Sequence, residues 1–139
     1  MSSYEWVYED KKIILESEKC SMFLNDEDNP ISGVTVEEIL ELLKESERVE
    51  SSMAYYDQGC EVCHKNKSDT SHSYRFLEFH FYLFAKEGKY VMSSLSKSYE
   101  DKTLPRLLNE GTVNGTYIAS INICENCGDY TIDLEYGLF

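Results

Sequence analysis

The chain has few basic residues and no long apolar run. Its 139 residues include 13 Lys and Arg against 26 Asp and Glu, which gives a net charge of −13. Nucleic-acid-binding proteins need Lys and Arg to neutralise phosphates, so nucleic acid is not an expected partner. No stretch approaches the roughly 20 apolar residues of a membrane-spanning helix. Residues 1–6 also lack a basic region followed by an apolar run, so we expect a cytoplasmic protein with no membrane partner.

Motifs of catalytic sites are missing as well. The sequence contains no Gly-x-Ser-x-Gly, no phosphate-binding glycine loop and no His-Glu-x-x-His, so no catalytic residue can be named and an enzyme is not the expected class. Apolar residues still make up 42% of the chain, and 11 Tyr and 6 Phe supply large side chains for a core. The exposed acidic surface with many Tyr favours a protein as the partner.

The length fits a single domain over residues 1–139. Residues 1–50 hold most of the acidity, with 14 acidic and 5 basic side chains. Runs rich in aromatic and β-branched residues at 4–8 and 12–16 predict a hairpin in this part, and residues 20–24 are a candidate third strand. Residues 51–139 are predicted to form the β-rich, metal-binding part of the same domain.

The clearest helix signal covers residues 35–45. Thr35 and Glu38 form a Thr-x-x-Glu capping box, in which each side chain satisfies a backbone N–H of the other residue. Apolar residues then recur at helical spacing, namely Val36, Ile39, Leu40, Leu42 and Leu43. We expect this amphipathic helix to pack on a sheet. The preceding polar loop, residues 25–30, does not match a calcium-binding EF-hand, because Ile31 stands where that motif needs Gly.

The second half of the chain reads mainly as strands. Residues 74–85 alternate with period two, with Leu77, Phe79, Phe81, Leu83 and Ala85 on one face, and they turn at residues 87–89 into a strand at 90–95. Residues 98–110 contain a short helix with Pro105 in its first turn. Asn114-Gly115 predicts a two-residue hairpin turn, and residues 116–124 and 130–136 are predicted strands. The fold class is therefore α+β, with an antiparallel sheet covered on one face by the helix at 35–45.

Two cysteine pairs carry the chemistry of the sequence. Cys60 with Cys63 and Cys124 with Cys127 each have Cys-x-x-Cys spacing, which lets one short turn aim two sulfurs at a single metal. Each pair follows a strand candidate, at 53–56 and 117–123. Gly128 follows the second pair and eases the turn because glycine tolerates positive φ, whereas His64 takes the equivalent place after the first pair. Four thiolates make a closed structural zinc site.

This arrangement resembles the paired knuckles, or Cys-x-x-Cys turns, of zinc-ribbon and rubredoxin-like folds, over roughly residues 53–64 and 117–136. The resemblance implies that Cys60, Cys63, Cys124 and Cys127 are the metal ligands. It is incomplete, because 60 residues separate Cys63 from Cys124. The whole chain also resembles small, acidic, uncharacterised bacterial proteins with paired cysteines, a family of unknown function.

Three alternatives to structural zinc stay open at this point. Four thiolates hold iron as well as zinc, which would suit a rubredoxin-like electron carrier. A dithiol redox protein also uses Cys-x-x-Cys, although neither pair precedes a predicted helix. Finally, Cys60 to His64 match the Cys-x-x-Cys-His pattern of haem attachment, which leaves the second pair unexplained.

Two further residues have structural interpretations. Cys20 is the odd fifth cysteine, and we expect a buried, unreactive thiol there. His80 lies among aromatic residues on the second face of the long strand, and we expect a hydrogen-bonded structural histidine rather than a catalytic one.

Overall fold

The computed structural model describes residues 3–8, 10–46, 52–56, 59–60, 74–96, 99, 102–124 and 127–137. In this part of the chain a short 3-10 helix follows the second strand, at Ser17–Lys19, and no helix is long and apolar enough to cross a membrane. The strands and α-helices are β1 (Ser3–Tyr8), β2 (Lys11–Glu16), β3 (Cys20–Leu24), α1 (Val36–Glu45), β4 (Ser52–Tyr56), β5 (Tyr74–Lys86), β6 (Lys89–Ser93), α2 (Leu104–Glu110), β7 (Gly115–Ile123) and β8 (Tyr130–Tyr136).

Six strands form the main sheet, in the order β3-β8-β7-β5-β4, with β6 pairing with the other end of β5. The β1–β2 hairpin that the sequence predicts is present and forms a separate two-stranded sheet. The prediction of an antiparallel main sheet is wrong at one edge, because β3 runs parallel to β8. These strands come from opposite ends of the chain, and no turn motif joins them that could reveal their pairing in the sequence. The fold is therefore α+β with a mixed sheet.

The long central strand β5 has the predicted two faces. Leu77, Phe79, Phe81 and Leu83 are all buried, because every second side chain of a strand points to the same face. The turn that follows has positive φ at Glu87 (51°) and Gly88 (77°), the backbone of a type I′ hairpin turn. It leads directly into β6, where Lys89 pairs with Lys86.

Helix α1 begins at the predicted cap. The Thr35 hydroxyl accepts a hydrogen bond from the Glu38 backbone N–H at 3.2 Å, which satisfies one unpaired donor of the first turn. The helix buries four side chains, Ile39, Leu40, Leu42 and Leu43. They join one apolar core with the inner face of the sheet and with Ile13 and Leu15 of the β1–β2 hairpin. The acidic first third of the chain thus shares its core with the rest.

Helix α2 lies at the other end of the sheet. The Thr103 hydroxyl caps it by accepting from the Arg106 N–H at 3.4 Å, and Gly111 ends it with φ of 75°. The buried Leu107 packs with Phe84, Met92 and Val113 in a second, smaller core. One end of the second face of β5 is therefore covered.

The predicted hairpin turn at Asn114-Gly115 is wrong. The element directly before them is helix α2, and Gly115 is the first residue of β7, so they do not connect two strands. The Asn114 side chain instead bonds to the β5–β6 turn, with its Oδ1 accepting from the Glu87 N–H at 2.8 Å and its Nδ2 donating to Glu87 Oε1 at 2.9 Å. The side chain of Asn114 stabilises a turn that is distant in sequence. The Asn-Gly motif alone could not predict this contact.

The acidic loop before α1 is held by one carboxylate. Asp26 accepts three backbone hydrogen bonds, from Asp28 at 3.0 Å, from Asn29 at 2.8 Å and from Tyr136 of β8 at 3.0 Å. The bonds from Tyr136 and Asn29 lower the pKa of Asp26, because they favour the ionised form. Asp26 therefore ties this loop to the last strand.

Candidate metal centre

Strand pairing brings Cys60 to the same end of the sheet as Cys124. Cys60 lies in the connection from β4 to β5, and Cys124 directly follows β7. Strands β5 and β7 are antiparallel neighbours, with Leu77 opposite Ile123. The end of β4 pairs with the start of β5, and the end of β7 lies beside it, so Cys60 and Cys124 come to the same end of the sheet.

Three sulfur atoms converge there. The thiols of Cys60, Cys124 and Cys127 all lie within 4.8 Å of one another, and the Sγ atoms of Cys60 and Cys127 are 3.6 Å apart. Zinc–sulfur bonds of about 2.3 Å in a tetrahedron place sulfurs about 3.8 Å apart, so this separation fits two ligands of one metal. It is too long for a disulfide, whose sulfurs are about 2.05 Å apart. Cys63, the fourth predicted ligand, lies outside the described residues.

The cluster is screened from water. Cys60 is 4% exposed and Cys124 is 1% exposed, while Cys127 is half-buried. Among the described residues this is the one group of three or more Cys, His, Asp or Glu side chains whose ligand atoms are close enough to share a metal. Two buried sulfur ligands out of three are consistent with a closed, structural metal site.

The turn between β7 and β8 shapes the second half-site. The Cys124 N–H donates to the Asp129 carbonyl, and the Gly128 N–H donates to the Cys124 carbonyl, both at 2.9 Å. Gly128 has a φ of 82°, which confirms the prediction that this position needs positive φ. A Cβ atom there would come 3.8 Å from the Ile14 carbonyl oxygen, so the β1–β2 hairpin lies beside the turn.

The donor set fits a thiophilic metal. Thiolates bind zinc and iron in tetrahedral sites, and the geometry of the three described sulfurs does not favour one of these metals over the other. The half-site at Cys124 and Cys127 leads into strand β8 rather than into a helix. It therefore lacks the helix N-terminus that lowers the thiol pKa in dithiol redox proteins.

The haem pattern gains no support from the cluster. His64, its axial ligand, lies outside the described residues. Cys60 has its sulfur beside Cys127 of the other pair, whereas haem attachment would use Cys60 and Cys63 alone. A metal held by Cys60, Cys124 and Cys127 would account for the position of Cys60.

Cys20 is not a member of the cluster. The prediction of a buried thiol needs correction, because Cys20 is half-buried on the edge strand β3. Its sulfur donates to the Met22 carbonyl at 3.4 Å. Burial is the main cause that raises the pKa of the Cys20 thiol, which keeps it protonated and weakly nucleophilic.

His80 takes part in a hydrogen-bonded chain on the outer face of the sheet. Its Nδ1 lies 3.1 Å from Ser120 Oγ and its Nε2 lies 3.2 Å from Glu78 Oε1. The Tyr56 hydroxyl donates to the other oxygen of Glu78. Ser120 lies in the middle of β7, between β5 and β8, so the surrounding backbone N–H groups belong to the sheet and cannot stabilise an oxyanion. A structural role for His80 fits these contacts.

Sequence reasoning could not find the partners of His80. Alternation along β5 places Glu78 and His80 on one face, but Ser120 is 40 positions away and Tyr56 lies 22 positions from Glu78. Only the strand order brings them together.

The comparisons with known proteins give a family and no function. No curated protein and no solved structure matches the chain. One family model matches residues 4–138, nearly the whole chain, and its description is "Protein of unknown function (DUF3785)". The chain belongs to the DUF3785 family.

Proposed function

We propose that this protein is a cytoplasmic zinc-binding protein that acts as a binding or regulatory module for a protein partner. Cys60, Cys63, Cys124 and Cys127 hold one structural zinc ion in this proposal. The observation that carries it is the convergence of three of these thiols within 4.8 Å. Cys63 follows Cys60 by three positions, which is the spacing that supplies a second ligand from the same turn.

A structural role follows from the number and burial of the ligands. Four thiolates complete the tetrahedron around the zinc. They leave no open position for a water or a substrate, whereas a catalytic zinc needs one. The metal would join the β4–β5 connection to the β7–β8 turn, two segments whose cysteines are far apart in sequence. Binding free energy at such a site contributes directly to folding.

Binding rather than catalysis is favoured by the rest of the surface. The net charge of −13, made more negative by about two units when four thiolates bind one divalent ion, opposes phosphate-rich partners. Large apolar side chains such as Tyr55 and Tyr82 are nevertheless exposed, and tyrosine is enriched in protein–protein interfaces. A protein partner agrees with both features.

The alternative is a redox function. The same thiolates could hold iron in a rubredoxin-like electron carrier, because tetrahedral sulfur sites suit both metals. A dithiol redox protein is the other form of this alternative, and it would leave the cysteines without metal and able to form a disulfide.

Elemental analysis with a visible spectrum, on protein purified without added metal, tests the proposal. We expect one zinc per chain and no absorption above the protein band. A red protein containing iron, or a Soret band, would contradict structural zinc. Metal-free protein that readily forms a Cys60–Cys63 disulfide would instead support the dithiol function.

A further inference from the structure

The outer face of the main sheet carries a groove that no catalytic or metal role explains. Cross-strand register sets two parallel rows of side chains across four strands. One row is Leu24, Asp133, Ser120 and His80, and the other is Met22, Thr131, Asn122 and Glu78. Neighbouring strands are about 4.8 Å apart, so each row spans about 14 Å. Together with Tyr56 they line a groove of about 310 Å³.

The groove has an apolar side and an acidic side. Met22 and Leu24 lie side by side on the edge strand β3 and are 44% and 47% exposed. Together they form a small exposed apolar patch. Across the sheet, the Glu78 carboxylate is held by the Tyr56 hydroxyl and by His80, with only 13% of its side chain exposed. Asp133 lies on β8 between these two sides, and its side chain is exposed.

Charged side chains around the groove have one sign. We consider the described positions from Tyr74 to Tyr82 of β5 and the positions paired with them across the sheet. On the outer face, none of these residues is Lys or Arg, whereas Glu78, Asp133 and Glu135 carry carboxylates. Arg75, the basic residue of this part of β5, points to the opposite face by alternation. The groove therefore offers unbalanced negative charge beside exposed apolar surface.

We propose that this groove is the docking site for an extended, arginine- or lysine-rich segment of a partner protein. The aliphatic stem of one such side chain packs on Met22 and Leu24 while its cationic head reaches Asp133, and the cationic head of a second side chain reaches Glu78. Ser120, Asn122 and Thr131 form a polar floor that accepts or donates further hydrogen bonds. The inference names the partner of the binding module proposed above, and it depends on that proposal.

Charge argues against other occupants. A second copy of this chain also carries a charge of −13 and would set its own carboxylates against Asp133 and Glu135. Nucleic acid would bring phosphates to the same carboxylates, where like charges repel. A basic peptide segment is the occupant whose charge and mixed polarity match the groove.

Fluorescence anisotropy with labelled peptides tests this site on the full-length protein in its metal-bound form. The probe alternates arginine with valine, so that an extended backbone presents its arginine side chains on one face and its valine side chains on the other. Two matched peptides replace arginine by citrulline, which has nearly the same shape without the charge, or by glutamate. We expect binding of the arginine peptide only, weakening as salt is raised.

Variants locate the binding to the groove. The double variant Glu78→Gln with Asp133→Asn should weaken arginine-peptide binding by about tenfold or more, since both charge partners are lost. The control, Glu37→Gln with Glu45→Gln on α1, removes the same two charges at exposed positions on the other side of the sheet and should change affinity by less than about twofold. Because Glu78 bonds to Tyr56 and His80, Asp133→Asn alone is measured as well, at an exposed position that leaves these bonds intact.

Several results would overturn the proposal. These are an arginine peptide that does not bind, equal binding of the citrulline or glutamate peptide, and equal weakening by the two double variants. An oligonucleotide that binds in place of the peptide, or a dimer in sedimentation that Asp133→Asn dissociates, would assign the face to another occupant. Zinc content is measured on the same samples, so that failure of the metal site and failure of the groove are recorded separately.

Discussion

Cys60 and Cys127 lie 67 positions apart in the chain, and their sulfur atoms are 3.6 Å apart. The pairing of β4 with β5, in which Tyr56 is opposite Tyr74, and of β5 with β7, in which Leu77 is opposite Ile123, places them together. The sheet thus positions the sulfurs, and a bound metal would in turn fix the two connections that carry them. This mutual dependence makes the site testable through stability.

Replacing Cys124 by serine should release the metal and destabilise the fold. Cys124 is 1% exposed and follows the last residue of β7, so its replacement removes one of the three thiols that converge at this end of the sheet. Loss of a structural metal is among the few mechanisms that give large effects, and we expect about 3 kcal/mol. Zinc content and thermal unfolding of Cys124→Ser measure the change.

Cys20→Ser is the matched control for this variant. It makes the same chemical change on β3, where the thiol is half-buried and outside the cluster. Zinc should be retained, and stability should change by no more than about 1 kcal/mol. If Cys124→Ser also kept its zinc and unfolded at the same temperature as the wild type, the shared site would be ruled out.

Local patterns in the sequence are enough to predict most individual elements. Alternation along Leu77 to Leu83 is set by burial on one face and predicts β5. The Thr35 cap predicts the start of α1, because the hydroxyl acts on a donor three residues away. The turn at Gly88 and the positive φ of Gly128 also depend only on adjacent residues.

Pairings between distant strands could not be predicted in the same way. The parallel contact of β3 with β8 has no turn motif, and the Asn114 side chain serves the turn at Glu87 rather than its own neighbours. The candidate site shows the same division. Spacing alone predicts each half-site, while the meeting of Cys60 with Cys124 depends on β5 and β7 being neighbours.

Replacing Gly128 by alanine should weaken metal binding through the backbone. The φ of 82° at Gly128 is costly for a residue with a Cβ atom, by roughly 1–2 kcal/mol. Relief of this strain distorts the turn that carries Cys124 and Cys127. We expect lower stability and faster transfer of zinc to a chromophoric chelator, which follows metal release directly.

Gly111→Ala separates strain from metal binding. Gly111 ends α2 with a φ of 75°, and a Cβ atom there meets nothing within 4 Å. The variant should lose a similar amount of stability but transfer zinc at the wild-type rate. Equal zinc transfer from both glycine variants would contradict a specific role for the Gly128 turn.

Tyr130 should make stability fall at high pH. Its hydroxyl donates to the Glu16 carbonyl at 2.8 Å, and burial raises the pKa of the Tyr130 phenol above its usual value near 10. Above about pH 10 the unfolded chain loses this proton and the folded chain keeps it. The free energy of unfolding therefore falls as pH rises, by up to about 1.4 kcal/mol per pH unit for one group, and the full contribution is present below pH 10.

Tyr130→Phe isolates this contribution. At pH 7 the variant should lose about 1 kcal/mol of stability, because the hydrogen bond is lost. Between pH 10 and 11.5, a window of about 1.5 units above the unfolded pKa, its stability should fall less steeply than that of the wild type. Some slope remains, because burial also raises the pKa of Tyr90 and Tyr117. Urea unfolding across this range measures both effects. A Tyr130→Phe slope equal to that of the wild type would show that the Tyr130 proton is not linked to folding.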